Sequence, residues 1–228
     1  MPSAQHVEVD EGPGRPVSDD LQLLLGEIHA SHIRYLDSVR GRGGVLFAEG
    51  EPARGVYILR TGKAAVSISS NEGRVIIVRI AYPGDVLGLN SVLRSSTYDA
   101  TVKALEPCRT DFIPRAELME LMGTSQAGTQ AILKILSHEL NELTTRTRLL
   151  LLPQTTNARL ANLMLEWGRQ SARIDKIFTH EEIAQMICSS RETVTRLFAS
   201  LSKRQIIEVT ADSILIRDNA ALERMALG

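Results

Sequence analysis

The stretch Thr179–Leu201, THEEIAQMICSSRETVTRLFASL, constrains this chain most, because it holds two short helical patterns separated by a polar break, each with its own start signal. Thr179 followed by Glu182 has the form of a capping box, which satisfies orphan backbone N–H groups at a helix start. Ile183, Ala184 and Ile187 give that first helix a small apolar face. Ser190 is a good N-cap for a second helix beginning at Arg191. At about 100° per residue, Val194, Leu197, Phe198 and Leu201 gather on one side of it. Arg191, Glu192, Thr195 and Arg196 gather on the other. One reading is an ordinary helical hairpin with a solvated charged face and an internal Glu192–Arg196 pair. The other is a helix-turn-helix whose second helix offers its first residues to base edges in the major groove. Arg is a fork of donors matched to a guanine edge, and Glu can accept from a cytosine amino group.

The chain has 228 residues, enough for one large or two modest cores. A net charge of −1 does not advertise a nucleic-acid partner, but a local basic face matters more than the total. Arg191, Arg196, Lys203 and Arg204, opposed by one acid, supply such a face. Cys108 and Cys188 lie far apart, which suits a reducing cytoplasm better than a disulfide framework, and two thiols are too few for an iron–sulfur cluster. No secretory signal core is present, and no apolar run approaches the ~20 residues of a membrane span. A soluble, cytoplasmic protein without membrane association is expected. A Gly-rich phosphate loop, metal-ligand spacing and a nucleophile–base pair are all lacking, so no enzyme, cofactor or metal site is read.

Residues 1–18 read as a polar, mobile tail. From Asp19 to about Arg40 the pattern is helical, with Leu21, Leu24, Leu25 and Ile28 on one face. His29 and His32 fit either a metal or haem ligand pair or two surface histidines. From Gly43 to about Pro114 short alternating segments lie between glycine-bearing turns, as in a small antiparallel barrel or sandwich with a mouth for a small ligand. A short helix at Asn90–Leu93 interrupts them. A helix at Arg115–Met122 follows, then the longest helical pattern, Thr124–Leu152. In it Thr129, Leu133, Leu136, Leu140, Leu143, Thr147 and Leu150 recur at steps of four and three, a heptad seam for two identical subunits. Ile132 and Ile135, off that seam, suit packing on the chain's own domain. Pro153 marks a hinge, Thr155 or Thr156 caps the next helix, IIEVTADSILI reads as a β-hairpin wing, and a last short helix runs over Asn219–Met225. The expected fold is α+β: a β-roll sensor over 19–124, a dimerisation helix and hinge over 125–153, and a winged helix-turn-helix over 154–228.

This order resembles the Crp/Fnr transcription regulators, over about residues 20 to 225. The most specific part is Ser190-Arg191-Glu192-Thr193-Val194-Thr195-Arg196, which resembles the Crp-type recognition helix. The resemblance implies base reading by Arg191, Glu192 and Arg196, phosphate contacts from Thr179, His180, Ser190, Thr193 and Thr195, and inverted repeats with TGTGA-like half-sites. Implied partners are double-stranded DNA, a second copy of the chain and RNA polymerase. Cys188 departs from the family, whose turns usually carry Gly there, so the turn is expected to be strained or reshaped.

The effector pocket departs further. Cyclic-nucleotide-binding members carry Gly-Glu after the PGD turn and Arg-Ser before Ala-Thr-Val, and here those positions hold Gly88-Leu89 and Tyr98-Asp99. Together with Asn90 and Ala100 these residues form the implied pocket. Thr144 and Thr145 resemble the family's base contacts. Tyr and Asp in place of a cation and a hydroxyl remove attraction for a phosphate and add like-charge repulsion. Arg94 is the nearby candidate to compensate. The expectation is a sensor not of the standard cyclic-AMP kind, with an unidentified small molecule as effector. The alternative reading is a small-molecule-binding signalling module whose main output is not DNA binding.

Overall fold

The computed structural model describes residues 19–31, 33, 36–94, 96–152, 155–169, 171–175 and 177–227. The tail, His32 and the Pro153 hinge therefore lie outside the described residues. The elements run α1 (Asp19–Ala30), β1 (Leu36–Arg40), β2 (Val45–Phe47), β3 (Gly55–Thr61), β4 (Ala64–Ser69), β5 (Val75–Ala81), β6 (Val86–Leu87), α2 (Leu89–Leu93), β7 (Thr101–Ala104) and β8 (Cys108–Pro114). They continue with α3 (Arg115–Thr124), α4 (Gln126–Leu151), α5 (Thr156–Trp167), β9 (Arg173–Asp175), α6 (His180–Met186), α7 (Arg191–Lys203), β10 (Ile207–Val209), β11 (Ser213–Ile216) and α8 (Asn219–Ala226). The chain forms two compact units, which divide within α4 between Leu140 and Asn141, with Ser67–Arg79 grouped with the C-terminal one.

The roll consists of two four-stranded sheets, ordered β1-β8-β3-β6 and β2-β7-β4-β5. Its first sheet is antiparallel, with Val56 opposite Ile113 and Ile58 opposite Asp111. Leu46, Phe47, Val56, Ile58, Leu59, Val86, Leu87 and Ile113 fill the interior, and Leu21, Leu24 and Ile28 of α1 join the same core with Leu118, Leu121, Ala131 and Ile132. One expectation needs correcting here: the first helix stops at Ala30, and Leu36–Arg40 is a strand on the edge of the roll. Its partner decides this, because every residue from Leu36 to Arg40 pairs with β8, and Asp37 takes a bidentate ion pair from Arg109 (2.9 Å). Leu36 stays 63% exposed, so its apolar side chain is no evidence of helix burial.

Inside the roll the aromatic rings interlock. Phe47 stacks on Tyr98 at 3.9 Å between centroids and on Tyr57 at 5.5 Å, and Tyr57 meets Phe112 at 4.8 Å. The Tyr98 hydroxyl donates to the Gly55 carbonyl at 2.6 Å. Burial, more than any charge, pushes the Tyr98 phenol up to about 12, so it is neutral and a donor at any physiological pH. The Cys108 thiol is buried and free, raised to about 11 by the same loss of solvation; Cys188 is free and exposed.

Ser125 joins α3 to α4. Its hydroxyl accepts from Gly128 N–H (2.9 Å), capping α4, and donates to Glu27 of α1 (2.6 Å). Along α4, Ala131 and Ile132 are fully buried and Ile135 packs on the roll core. Leu133, Leu140 and Leu143 are 57%, 66% and 40% exposed. Leu136, expected on the seam, is half-buried and packs against the roll's core, since heptad spacing does not say which of two adjacent faces a residue shares. Thr147 is exposed and its hydroxyl is satisfied within α4 by the Leu143 carbonyl (2.8 Å); Leu150 is half-buried.

In the C-terminal unit Thr155 caps α5, whose Leu160, Leu163 and Met164 are buried, and Trp167 stacks on Phe178 at 4.8 Å. The wing is a three-stranded sheet, β10-β11-β9, not a two-stranded hairpin. Its third strand, Arg173–Asp175, is too short and too charged to announce itself; pairing of Ile174 with Ile214 forms it. Among the described residues no helix is long and apolar enough to cross a membrane.

Candidate nucleic-acid interface

The first helix of the pair, α6, begins as its sequence dictates. Thr179 Oγ1 accepts from Glu182 N–H (3.1 Å) and the Glu182 carboxylate accepts from Thr179 N–H (2.6 Å), the reciprocal box that satisfies two orphan donors. Ile183, Ala184 and Met186 are buried, as are Val194, Phe198 and Leu201 of α7. Seating these side chains together is what fixes the two helices.

The turn between them is a Schellman motif. Ser189 N–H donates to the Ala184 carbonyl at 2.9 Å, and Cys188 takes the left-handed position with φ 52°. The strain expected from a non-glycine residue there is present. A second left-handed residue, Gln205 (φ 58°), ends α7 in the same way, with Ile206 N–H reaching the Leu201 carbonyl at 3.0 Å. Nothing in the sequence flags Gln205, since glutamine carries no turn preference of its own.

Arg191, Glu192 and Arg196 are all exposed on α7. Ser190 caps the helix by accepting from Thr193 N–H at 3.2 Å. From there two hydrogen bonds cross the face: Arg196 Nη2 donates to Thr193 Oγ1 (3.3 Å), and Thr193 Oγ1 meets Ser190 Oγ (3.1 Å). The Glu192 carboxyl is held below the usual carboxylate range, first by its own backbone N–H and then by the Ser190 hydroxyl, with Arg191 and Arg196 adding attraction. It is therefore an anionic acceptor flanked by two cationic forks, the chemistry that cytosine and guanine edges accept. His180 and Thr195, both expected to face phosphates, are hydrogen-bonded to each other at 2.9 Å.

The residues of the implied effector pocket come together only in part. Leu89 is core, at 1% exposure, and Tyr98 is buried at 4%. Gly88 is left-handed (φ 81°), and a Cβ there would lie 2.7 Å from the Tyr98 ring, so ring and backbone already fill the space between them. Asp99 accepts from Asn90 Nδ2 (2.6 Å) and Ser91 Oγ (2.9 Å), and Arg94 lies 3.9 Å from the same carboxylate. Arg94 is thus engaged by a carboxylate. Ala100 is half-buried beside them, while Thr144 and Thr145 are exposed on α4, beyond Leu140 and in the other compact unit. Among the described residues no cluster of His, Cys, Asp or Glu could hold a metal ion, and the His29 ring is bonded to its own helix through the Leu25 carbonyl (2.6 Å).

A β-roll followed by a winged helix-turn-helix with two arginines and a glutamate presented on its second helix is the architecture of a DNA-binding regulator. Residues 41–125 match the cyclic nucleotide-binding domain family and residues 158–225 match the Crp-like helix-turn-helix domain family. The chain belongs to the Crp/Fnr family of transcription regulators. Among its relatives, the CRP-like cAMP-activated global transcriptional regulator of Mycobacterium tuberculosis is 28% identical over 191 residues, spanning 81% of this chain and 85% of that protein. The anaerobic regulatory protein of Pasteurella multocida is 29% identical over 187 residues, spanning 78% of this chain and 67% of that one. FixK2 from Bradyrhizobium japonicum shares the fold with a TM-score of 0.73 at 22% identity, covering 85% of this chain and 98% of that structure.

Replacing Cys188 by Gly removes a left-handed penalty of order 1–3 kcal/mol and returns part of it as chain entropy of the unfolded state. Urea unfolding is expected to show Cys188→Gly more stable by about 0.5–1 kcal/mol. A loss of stability would mean that the thiol makes a contact worth more than the strain.

Proposed function

We propose that the chain acts as a homodimer reading an inverted repeat with TGTGA-like half-sites, through Arg191, Glu192 and Arg196. The observation that carries this reading is the exposed trio on α7, an acceptor between two bidentate donors held by the hydrogen bonds through Thr193 and Ser190. Thr179 and Ser190, short hydroxyls at helix starts, would lie against phosphates. The exposed Leu133, Leu140 and Leu143 supply the apolar stripe of a two-helix seam. In this reading residues 19–124 are the sensor, 125–153 the dimerisation helix and hinge, and 154–228 the DNA-binding domain. The dimer works in the cytoplasm, has no catalytic role, and engages RNA polymerase when bound.

The roll, in the same proposal, does not take cyclic AMP in the family's standard way. Supporting this, the positions of the phosphate-holding Arg-Ser pair hold a buried tyrosine and a carboxylate already bonded to Asn90 and Ser91. An anion placed there would meet Asp99 and displace a ring stacked at 3.9 Å on Phe47. An unidentified effector, or none, then biases how the long helices pack and how far apart the two recognition helices stand, about 34 Å when productive.

Selection of bound duplexes from a random pool is expected to return the inverted repeat. Arg191→Ala should then cost about 1–3 kcal/mol on the selected duplex and relax one base position. Equal losses on selected and random duplexes would make Arg191 a phosphate contact. Leu140→Glu sets like charges across the seam and should convert the dimer to monomer in sedimentation; an unchanged dimer would refute the seam. Cyclic AMP and cyclic GMP are expected to leave the melting temperature unmoved. A nucleotide bound at 100 times its Kd adds about 2.7 kcal/mol, so a rise of several degrees would restore nucleotide sensing.

A further inference from the structure

His180 stands at the first position of α6, and its ring faces α7 rather than running along its own helix. Nδ1 lies 2.9 Å from Thr195 Oγ1, and the ring sits 4.9 Å from the ring of Phe198, one turn further along α7. The Thr195 hydroxyl hydrogen is already committed, since Oγ1 donates to the Arg191 carbonyl at 2.9 Å. Thr195 can therefore only accept from the imidazole, which fixes the ring with hydrogen on Nδ1. One directional bond, to the exposed Thr195, and one ring contact, to the buried Phe198, thus tie His180 of α6 to α7.

We propose that His180 and Thr195 are an interhelix clamp that sets the rotation of α7 about its own axis, rather than two phosphate ligands, and so act as positioning residues for base reading. The inference rests on the DNA-reading role proposed above. Apart from this clamp, α7 is seated on α6 by Val194, Phe198 and Leu201, and apolar contact is non-directional. The outer surface of a helix lies ~5–6 Å from its axis, so a rotation of about 10° moves a side-chain atom at that surface by about 1 Å. Bidentate contact with a base edge tolerates only about 0.5 Å of such error. A phosphate contact forgives it, because a point charge attracts from many directions. Loss of the clamp should therefore damage discrimination between sequences while leaving the affinity for any duplex largely intact.

The full-length protein carries the test, with affinities for the selected inverted repeat and a random duplex measured across a salt series. His180→Ala and Thr195→Val are each expected to lower the specific-to-random ratio roughly tenfold, with the salt slope unchanged. The double variant should be no worse than either single one, because both remove the same bond. His180→Asn, which keeps a donor near the place of Nδ1, should recover most of the ratio. Thr195→Val, on an exposed face and nearly isosteric, carries the test if His180→Ala does not fold. Losses equal on both duplexes would make the pair phosphate ligands, which act on any sequence alike, and overturn the clamp. Additive losses, or no loss, would overturn it too. If the wild-type chain itself shows no sequence preference, the base-reading proposal fails; if it selects a site and the variants select it equally well, only the clamp fails.

Discussion

The seating of α7 on α6 is the constraint on which the rest of the DNA-facing surface depends. Val194, Phe198 and Leu201 bury one side of α7 against Ile183, Ala184 and Met186, and the opposite side, with Arg191, Glu192 and Arg196, is left outward as a consequence. The two helices are brought to that seating by a connection only four residues long, Ile187 to Ser190, which closes through a left-handed residue. A cysteine there accepts strain that a glycine would avoid, so the apolar contact and the Ser189–Ala184 hydrogen bond together outweigh a conformation of order 1–3 kcal/mol above the relaxed one. The wing adds a short sheet below, with Arg217 and Glu208 paired across it (2.5 Å).

The roll follows a different logic, in which aromatic packing joins the two sheets. Phe47, Tyr57, Tyr98 and Phe112 fill the interior with stacked and tilted rings, and the single buried hydroxyl among them, that of Tyr98, is satisfied by a backbone carbonyl. Such a core gains dispersion and hydrophobic burial but has no positive group to offer a phosphate. The buried Arg60, on β3, is paired to Asp111, so its charge is spent inside the protein as well.

Much of this was legible from residue order. The capping box at Thr179, the cap at Ser190 and the short helix at Asn90 are local signals, and local hydrogen bonding decides them, whereas the strained or reshaped turn at Cys188 was implied by the family resemblance. The first helix was read too long because Leu36 continues an apolar period that only pairing with β8 redirects into a strand. The strand Arg173–Asp175 was not read at all, for three residues carry no period. His180 and Thr195 looked like two separate phosphate ligands, fifteen residues apart; only the folded turn brings them to 2.9 Å.

By itself, then, the sequence determined the α+β class, the winged helix-turn-helix and the face of α7 that carries the charges, because caps, turns and helical period are properties of neighbouring residues. Only tertiary structure decided which hydroxyls are already used, that the Tyr98 ring is buried against Phe47, and which leucines of α4 remain uncovered. Those outcomes depend on contacts between segments far apart in the chain, where competition for a partner, not propensity, selects the result.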